Sequence, residues 1–270
     1  MAITEFQRGV CRVIAQCRVQ QGDSYVAGGV ALNTLLGTSR LSRDIDLFHD
    51  TREALAATWD ADRKALEGHG YGIEVRRERP TFVEAMVRRD SDAVVLEWVC
   101  DSAYRFFPLV EHPDFGLTLH PFDLATNKVL ALIGRVEARD WVDTIACNDR
   151  LQHLGFLAWA ACGKDPGYGP ALLLAEARRN SRYTAQEVSE LAFDGPAPDA
   201  ALLRQHWSKL LREADAIIDS LPASAVGQCV LSANGELFQG SADEVAHALA
   251  ANEIVFHSGS IRGAMPVLRR

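Results

Sequence analysis

The sequence has no apolar run long enough to cross a membrane; its best candidate, Leu154 to Cys162, is alanine-rich and falls far short of the ~18 residues a span needs. The start, Met1-Ala2-Ile3-Thr4-Glu5-Phe6, has no basic region followed by an apolar stretch, so no secretory leader is expected. None of the six cysteines (Cys11, Cys17, Cys100, Cys147, Cys162 and Cys229) forms a CxxC pair. They read as small buried hydrophobes of a reducing compartment rather than a disulfide or zinc framework. The eight histidines show neither HxH nor HxxxH spacing, which removes the usual zinc motifs. No serine lies in a GxSxG-like context and no cysteine in a nucleophile motif, so hydrolase chemistry has no support. Basic charge is also short: 28 Lys and Arg against 36 Asp and Glu leave a net charge of -8, which argues against indiscriminate coating of nucleic acid. What is present is ordinary for a globular chain, with 270 residues that are 48% hydrophobic and 24% charged. That length suits one large or two modest domains, and a cytoplasmic location is expected.

The apolar periodicity predicts a helix over residues 4 to 20, stopped by Gly22-Asp23. A short strand, Ser24 to Ala27, then runs into Gly28-Gly29, and Val30 to Leu36 forms a compact apolar helix capped by Gly37. Arg43 to Phe48 alternates charged and apolar residues, the period-2 pattern of a half-buried strand. Asp50, with Glu53 three residues on, is read as the start of a helix reaching about Glu67. Three strands follow at Ile73 to Arg79, Phe82 to Arg88 and Val94 to Val99, the last being the most hydrophobic and expected at the centre of the sheet. From Phe122 the pattern turns helical: Leu124 to Gly134, Arg139 to Asn148, Gln152 to Cys162, Pro170 to Arg179, a capped helix at Thr184, and Asp199 to Leu221. The tail from Gln228 returns to short strands around a helix at Ala242 to Ala251. The fold class is therefore α+β: a mixed sheet first, a mainly helical region second, and a small α/β tail. The expected divisions are residues 1–120, 121–222 and 223–270, the last without an assigned role.

Chemistry concentrates between Tyr25 and Phe48. Asp44 and Asp46 lie two apart on a strand and so share a face, with Ile45 on the other. Two carboxylates that close repel unless a cation joins them. Mg²⁺ suits the pair, because it takes one or two protein acids and keeps its other positions for water and phosphate oxygens. Gly28-Gly29 at a strand-to-helix junction presents backbone N–H groups where the helix dipole favours an anion such as phosphate. Either feature alone is commonplace, a tight turn or a solvated strand edge; the order strand, GG, helix, strand, DxD is far more specific.

These residues resemble the signature of the DNA polymerase β-type nucleotidyltransferase superfamily, and more closely that of the AbiEii/AbiGii toxin family. The resemblance rests on Gly28-Gly29, the apolar helix ending in Leu36-Gly37, and Ser42-Arg43-Asp44-Ile45-Asp46-Leu47-Phe48. A second block, Asp123-Leu124 with Lys128 and then Arg139-Asp140 with Asp143, is similar to that family's DLxxxKxxAL and RDxxD segments. It implies a polymerase β-like nucleotidyltransferase core at residues 1–120, with the helical domain completing the active site. Gly28, Gly29 and Ser42 would bind nucleotide phosphates, Asp44 and Asp46 metal, and Lys128 the triphosphate, with Asp140 and Asp143 near the nucleotide. For the third acid of the superfamily, Glu97 is the candidate, since it is the only charged residue between Val94 and Val99. Asp is the more usual residue there, and a Glu on a solvent-facing side of the strand is the plain alternative.

The implied activity is metal-dependent transfer of an NMP from an NTP, with Mg²⁺ or Mn²⁺ as cofactor. The acceptor implied is a macromolecule, RNA at the tRNA 3′ end, and a cognate antitoxin would be a partner of the toxin. Protein nucleotidylation is the nearest enzymatic alternative, and a nucleotide-binding module without turnover is the other. An inactive module would be expected to have lost an acid or the lysine; Asp44, Asp46 and Lys128 are all present. The remaining arginines, Arg76, Arg77, Arg79, Arg88 and Arg89 on strands and Arg178, Arg179 and Arg182 near a helix end, are read first as solvation and helix-dipole residues, with contact to an RNA backbone as the minority alternative.

Overall fold

The computed structural model describes residues 3–268. Along the chain it runs α1 (Glu5–Gln21), β1 (Ser24–Ala27), α2 (Gly28–Leu36), β2 (Asp44–His49), α3 (Arg52–Gly68), β3 (Gly72–Arg79), β4 (Phe82–Arg89) and β5 (Asp92–Cys100). Then come β6 (Tyr104–Arg105), β7 (Val110–His112), β8 (Gly116–Thr118), α4 (Pro121–Arg135), α5 (Ala138–Arg150), α6 (Leu154–Ala161), α7 (Pro170–Asn180) and α8 (Ala185–Ser189). The chain closes with α9 (Ala200–Ser220), β9 (Gln228–Ser232), α10 (Ala242–Ala250), β10 (Ile254–Ser258) and β11 (Ser260–Ile261). Two compact units result: residues 1–103, 109–120 and 192–195 in the first, and 104–108, 121–191 and 196–270 in the second. Among the described residues no helix is long and apolar enough to cross a membrane.

In the first unit seven strands form a mixed sheet in the order β3-β4-β5-β2-β1-β8-β7. The centre is therefore β2, the strand of Asp44 and Asp46, and not β5 as its hydrophobicity suggested. The reason is non-local: β8 joins β1 in parallel at Val26–Thr118, and β7 extends that side further. Neither of these three-residue strands has a readable period. The helix predicted from Asp50 is capped one residue later, where the Thr51 hydroxyl accepts the Ala54 N–H at 3.0 Å. And α2 begins at Gly28 itself rather than after the glycines.

Alternation on β2 and β5 splits the sheet into two faces. Ile45, Leu47, His49, Val94, Leu96 and Trp98 are buried, whereas Asp44, Asp46, Val95 and Glu97 are half-buried. On the buried side Trp59 of α3 meets Trp98 edge-on at 4.7 Å. Beneath it, fully buried Arg18 of α1 donates to Asp62 of α3 at 2.8 Å, and the Trp98 indole N–H donates to the same carboxylate oxygen at 2.8 Å. Burial pushes the Asp62 carboxyl up, and Arg18 with the Trp98 indole pulls it back down. His49 is buried too, its ring bridging the Ser24 hydroxyl at 3.1 Å and the Val99 carbonyl at 3.2 Å.

The second unit is built around α6, all eight of whose residues are buried. The buried stripe of α9, Trp207, Leu210, Leu211, Ala214, Ile217 and Ile218, recurs at helical spacing and covers it. Residues 223–270 lie in this unit: β9 pairs antiparallel with β10 and packs on α6, and α10 packs on α9. Gln152 donates to the carbonyls of Val230 at 3.0 Å and Phe238 at 2.9 Å. The Trp159 indole donates to Ala225 O at 2.7 Å.

Removing Asp62 leaves a buried guanidinium without its carboxylate, so Asp62→Ala is expected to cost about 3–5 kcal/mol in urea unfolding; a loss below about 1 kcal/mol would show that Arg18 finds compensation elsewhere. The folded-state His49 is lowered to about 4, first by burial and then by the Arg18 charge. Only the unfolded chain takes up that proton between pH 6.5 and about 4, so stability should fall as pH drops through this window. Melting temperature against pH should show a shallower decline over the same window for His49→Gln.

Candidate active site

The first unit gathers one constellation around the junction of β1 and α2. Gly28 has φ +62°, a left-handed conformation that favours glycine. A Cβ there would also lie 1.6 Å from Oδ2 of Asp46 and 2.5 Å from its Cγ. The missing side chain thus makes the space the carboxylate occupies. A Cβ on Gly29 would meet Nη2 of Arg40 at 2.7 Å and Oγ of Ser42 at 2.8 Å. The N-cap residue of α2, Ala27, makes no side-chain cap, and the first turn carries no acid. Within α2 the Asn33 amide donates to Gly29 O at 2.9 Å and accepts the Thr38 hydroxyl at 2.5 Å, which holds the turn.

Ser42 connects the glycines to the acids. Its hydroxyl donates to Oδ1 of Asp44 at 2.9 Å, and its carbonyl accepts the Gln7 side chain of α1 at 2.8 Å. On the sheet, β2 and β5 run parallel with Asp46 opposite Glu97. Because side chains alternate, both stand on the half-buried face, as does Glu84 of β4, which pairs antiparallel with Glu97. Glu84 is balanced by Arg76 at 3.7 Å and Arg77 at 3.8 Å.

The structure therefore brings Gly28, Gly29, Ser42, Asp44, Asp46 and Glu97 together. The sequence reading missed Glu84 and Arg40. For Glu84 the signal was the alternation of Phe82 to Val87, which puts it on the acid face once β4 is set against β5. Arg40 had no such signal: only the fold distinguishes it from Arg43.

Among the described residues no three His, Cys, Asp or Glu side chains form a ready-made metal cage. Mg²⁺ does not require one, since it binds through one or two carboxylates plus water and phosphate oxygens. Asp44, oriented by Ser42, and Asp46, set against the turn at Gly28, are carboxylates of the kind that ion takes.

In the second unit Lys128 of α4, buried at 6% exposure, reaches Oδ1 of Asp140 at 2.8 Å and Oδ2 of Asp143 at 3.2 Å on α5. Arg135 adds a 3.2 Å contact to Oδ1 of Asp140, while the buried Oδ2 of Asp140 has no hydrogen bond among the described residues. Lys128, Asp140 and Asp143 thus form one buried ion cluster. The Tyr183 ring lies 5.4 Å from that of Trp141, and its phenol is pushed up to about 12 by burial and then by the Asp140 charge. Asp123, from the same sequence block, is structural. It accepts the N–H groups of Phe106 at 2.8 Å and Phe107 at 3.0 Å and pairs with Lys164 at 2.9 Å. Burial raises the thiols of Cys11, Cys147, Cys162 and Cys229, which keeps them protonated and unreactive.

The family model for the nucleotidyl transferase AbiEii toxin of a type IV toxin–antitoxin system matches residues 16–220. Two solved structures are similar at the level of fold. A putative nucleotidyltransferase from H. pylori is 15% identical with a TM-score of 0.53, over 81% of this chain and 99% of that one. MenT4, a nucleotidyltransferase toxin from Mycobacterium tuberculosis H37Rv, is 17% identical with a TM-score of 0.54, over 81% of this chain and 83% of its own. No curated protein matches by sequence.

Gly28→Ala should strain the turn and displace the Asp46 carboxylate together. The expected cost is about 2–4 kcal/mol, from backbone strain plus overpacking. Urea unfolding measures it; a variant as stable as the parent would mean that the Gly28–Asp46 contact is not a constraint.

Proposed function

Because the chain belongs to the AbiEii nucleotidyltransferase toxin family, we propose that it moves an NMP from an NTP to the 3′ end of tRNA, with Mg²⁺ held by Asp44 and Asp46. The observation that carries this reading is the Asp46 carboxylate in the space beside Gly28, at the uncapped start of α2. Acid and phosphate cradle then meet at one point, as transfer at a phosphorus requires.

Each residue has a role that its chemistry supports. The backbone N–H groups at Gly28 and Gly29 bind phosphate oxygens. Ser42 donates its one hydroxyl proton to Asp44 at 2.9 Å and so orients that carboxylate; to meet a phosphate oxygen over Gly29 the hydroxyl would turn away from Asp44. Glu97, opposite Asp46 on the same face, accepts the proton of the attacking hydroxyl. That hydroxyl oxygen bonds to the α-phosphorus while the bond from α-phosphorus to the bridging oxygen breaks, and pyrophosphate leaves. The bound cation supplies charge neutralisation at the α-phosphate and at the departing pyrophosphate. The assignment of Lys128 to the triphosphate, with Asp140 and Asp143 supporting it, rests on the family's motif spacing. A cognate antitoxin is the expected protein partner.

The test is transfer of label from each α-³²P NTP, with Mg²⁺ and total bacterial tRNA, beside an Asp46→Ala control. Label should appear on RNA and fall by a factor on the order of 10³ in the variant, the several kcal/mol that a held cation contributes. Label on protein instead of RNA would replace the acceptor. Equal transfer by the variant would remove the site.

A further inference from the structure

Among the described residues, three helices begin with a complete capping box: α1 at Thr4, α8 at Thr184 and α10 at Ser241. In α8 and α10 the third helical residue is a glutamate, Glu187 and Glu244, and both are exposed. The N–H and hydroxyl groups they accept lower both carboxyls, so capping alone favours a charged acid at this position. The helix dipole favours one as well. In α1 the same position is Gln7, neutral and only 5% exposed.

What an amide has and a carboxylate lacks is a donor. Gln7 uses both ends. Its Oε1 accepts the Thr4 N–H at 2.9 Å and completes the cap, while its Nε2 donates to the Ser42 carbonyl at 2.8 Å, 35 residues along the chain. Ser42 belongs to neither helix nor sheet. It lies past the 2.9 Å hydrogen bond from Leu41 N–H to Ala192 O and before the β2–β5 ladder, which begins at Asp44. The Gln7 tether fixes the backbone of this residue, whose hydroxyl donates to Oδ1 of Asp44 at 2.9 Å. With its carbonyl held on one side and its hydroxyl engaged on the other, Ser42 passes the position of α1 to one carboxylate of the pair.

Resting on the transferase reading, we infer that Gln7 is a positioning residue for the divalent cation, holding Asp44 through Ser42 in the orientation that binds the metal. It touches neither the cation nor the nucleotide. Its amide is needed for metal affinity and not for the start of α1, which a glutamate would cap as well.

The experiment is calorimetric binding of a non-hydrolysable NTP analogue, with Mn²⁺ and again with EDTA. The proteins are wild type, Gln7→Glu, Thr4→Ala and Asp44→Ala, with melting temperatures recorded for each. The ratio of the two dissociation constants measures what the cation adds. Gln7→Glu keeps the cap and loses the donor. It should shrink the ratio about 5- to 10-fold, the scale of one lost outer hydrogen bond behind a metal ligand, with affinity in EDTA within about 2-fold of wild type. Thr4→Ala weakens the cap and keeps the tether, so its melting temperature should fall by about 2–4 °C with the ratio unchanged. If Gln7→Glu does not fold, Gln7→Met, neutral and similar in size, takes its place in the comparison. A wild-type ratio in the folded Gln7 variant, or an equal loss in Thr4→Ala, overturns the assignment while the wild-type metal dependence stands. A wild-type protein without metal-dependent affinity, or Asp44→Ala with the full wild-type ratio, overturns the transferase reading and this inference with it.

Discussion

The position of the Asp46 carboxylate against the bare Cα of Gly28 is the constraint around which the first unit is arranged. It requires a glycine with a positive φ at the first residue of α2, and it requires β2 to pair with β1 so that Ala27 faces Asp46. A one-residue slip of β2 would turn both aspartates into the core and Ile45 and Leu47 out of it, so the buried face also enforces the site's register. Packing on one side of the sheet and chemistry on the other are set by the same alternation.

On the buried side of the sheet a polar group ties three elements together. Arg18, Asp62 and Trp98 lock α1, α3 and β5 together in a hydrogen-bonded group with no exposure, and the Trp59–Trp98 contact lies beside it. Next to Trp98 on β5 is Glu97, in register with Asp46. A shift of that strand would move Glu97 away from Asp46. α1 contributes in a second way, because Gln7 near its start holds the carbonyl of Ser42, whose hydroxyl orients Asp44. Electrostatically the open face sets Asp44, Asp46, Glu97 and Glu84 together. Such a row is costly without cations, and the structure provides Arg76 and Arg77 for Glu84 at its outer end.

The parts of this arrangement that were legible in the sequence are those specified by neighbours in the chain. Strand, Gly-Gly, apolar helix and the alternating Asp44 to Phe48 are contiguous between Ser24 and Phe48, and each follows from period or turn chemistry. The capping box at Thr184 is equally local. What escaped was non-local. β7 and β8 are three residues long and become strands only by pairing, β8 with Val26 of β1, where the Thr118 hydroxyl also donates to the Val26 carbonyl at 2.8 Å. Their addition is what makes β2 central. Arg40 is invisible for the same reason, since its bridge partner Phe193 is far along the chain. The ion cluster of Lys128 with Asp140 and Asp143 was legible as residue types but not as a bonded group, because it depends on how α4 and α5 face each other.

In the proposed site, Asp44 and Asp46 hold a divalent cation where the Gly28-Gly29 turn holds phosphate. The most direct test is a crystal structure with Mn²⁺ and a non-hydrolysable NTP analogue, read from the anomalous difference map. A manganese peak contacted by both aspartates is expected, with phosphate oxygens on the N–H groups at the start of α2. A peak away from β2, or phosphates that avoid that turn, would contradict it.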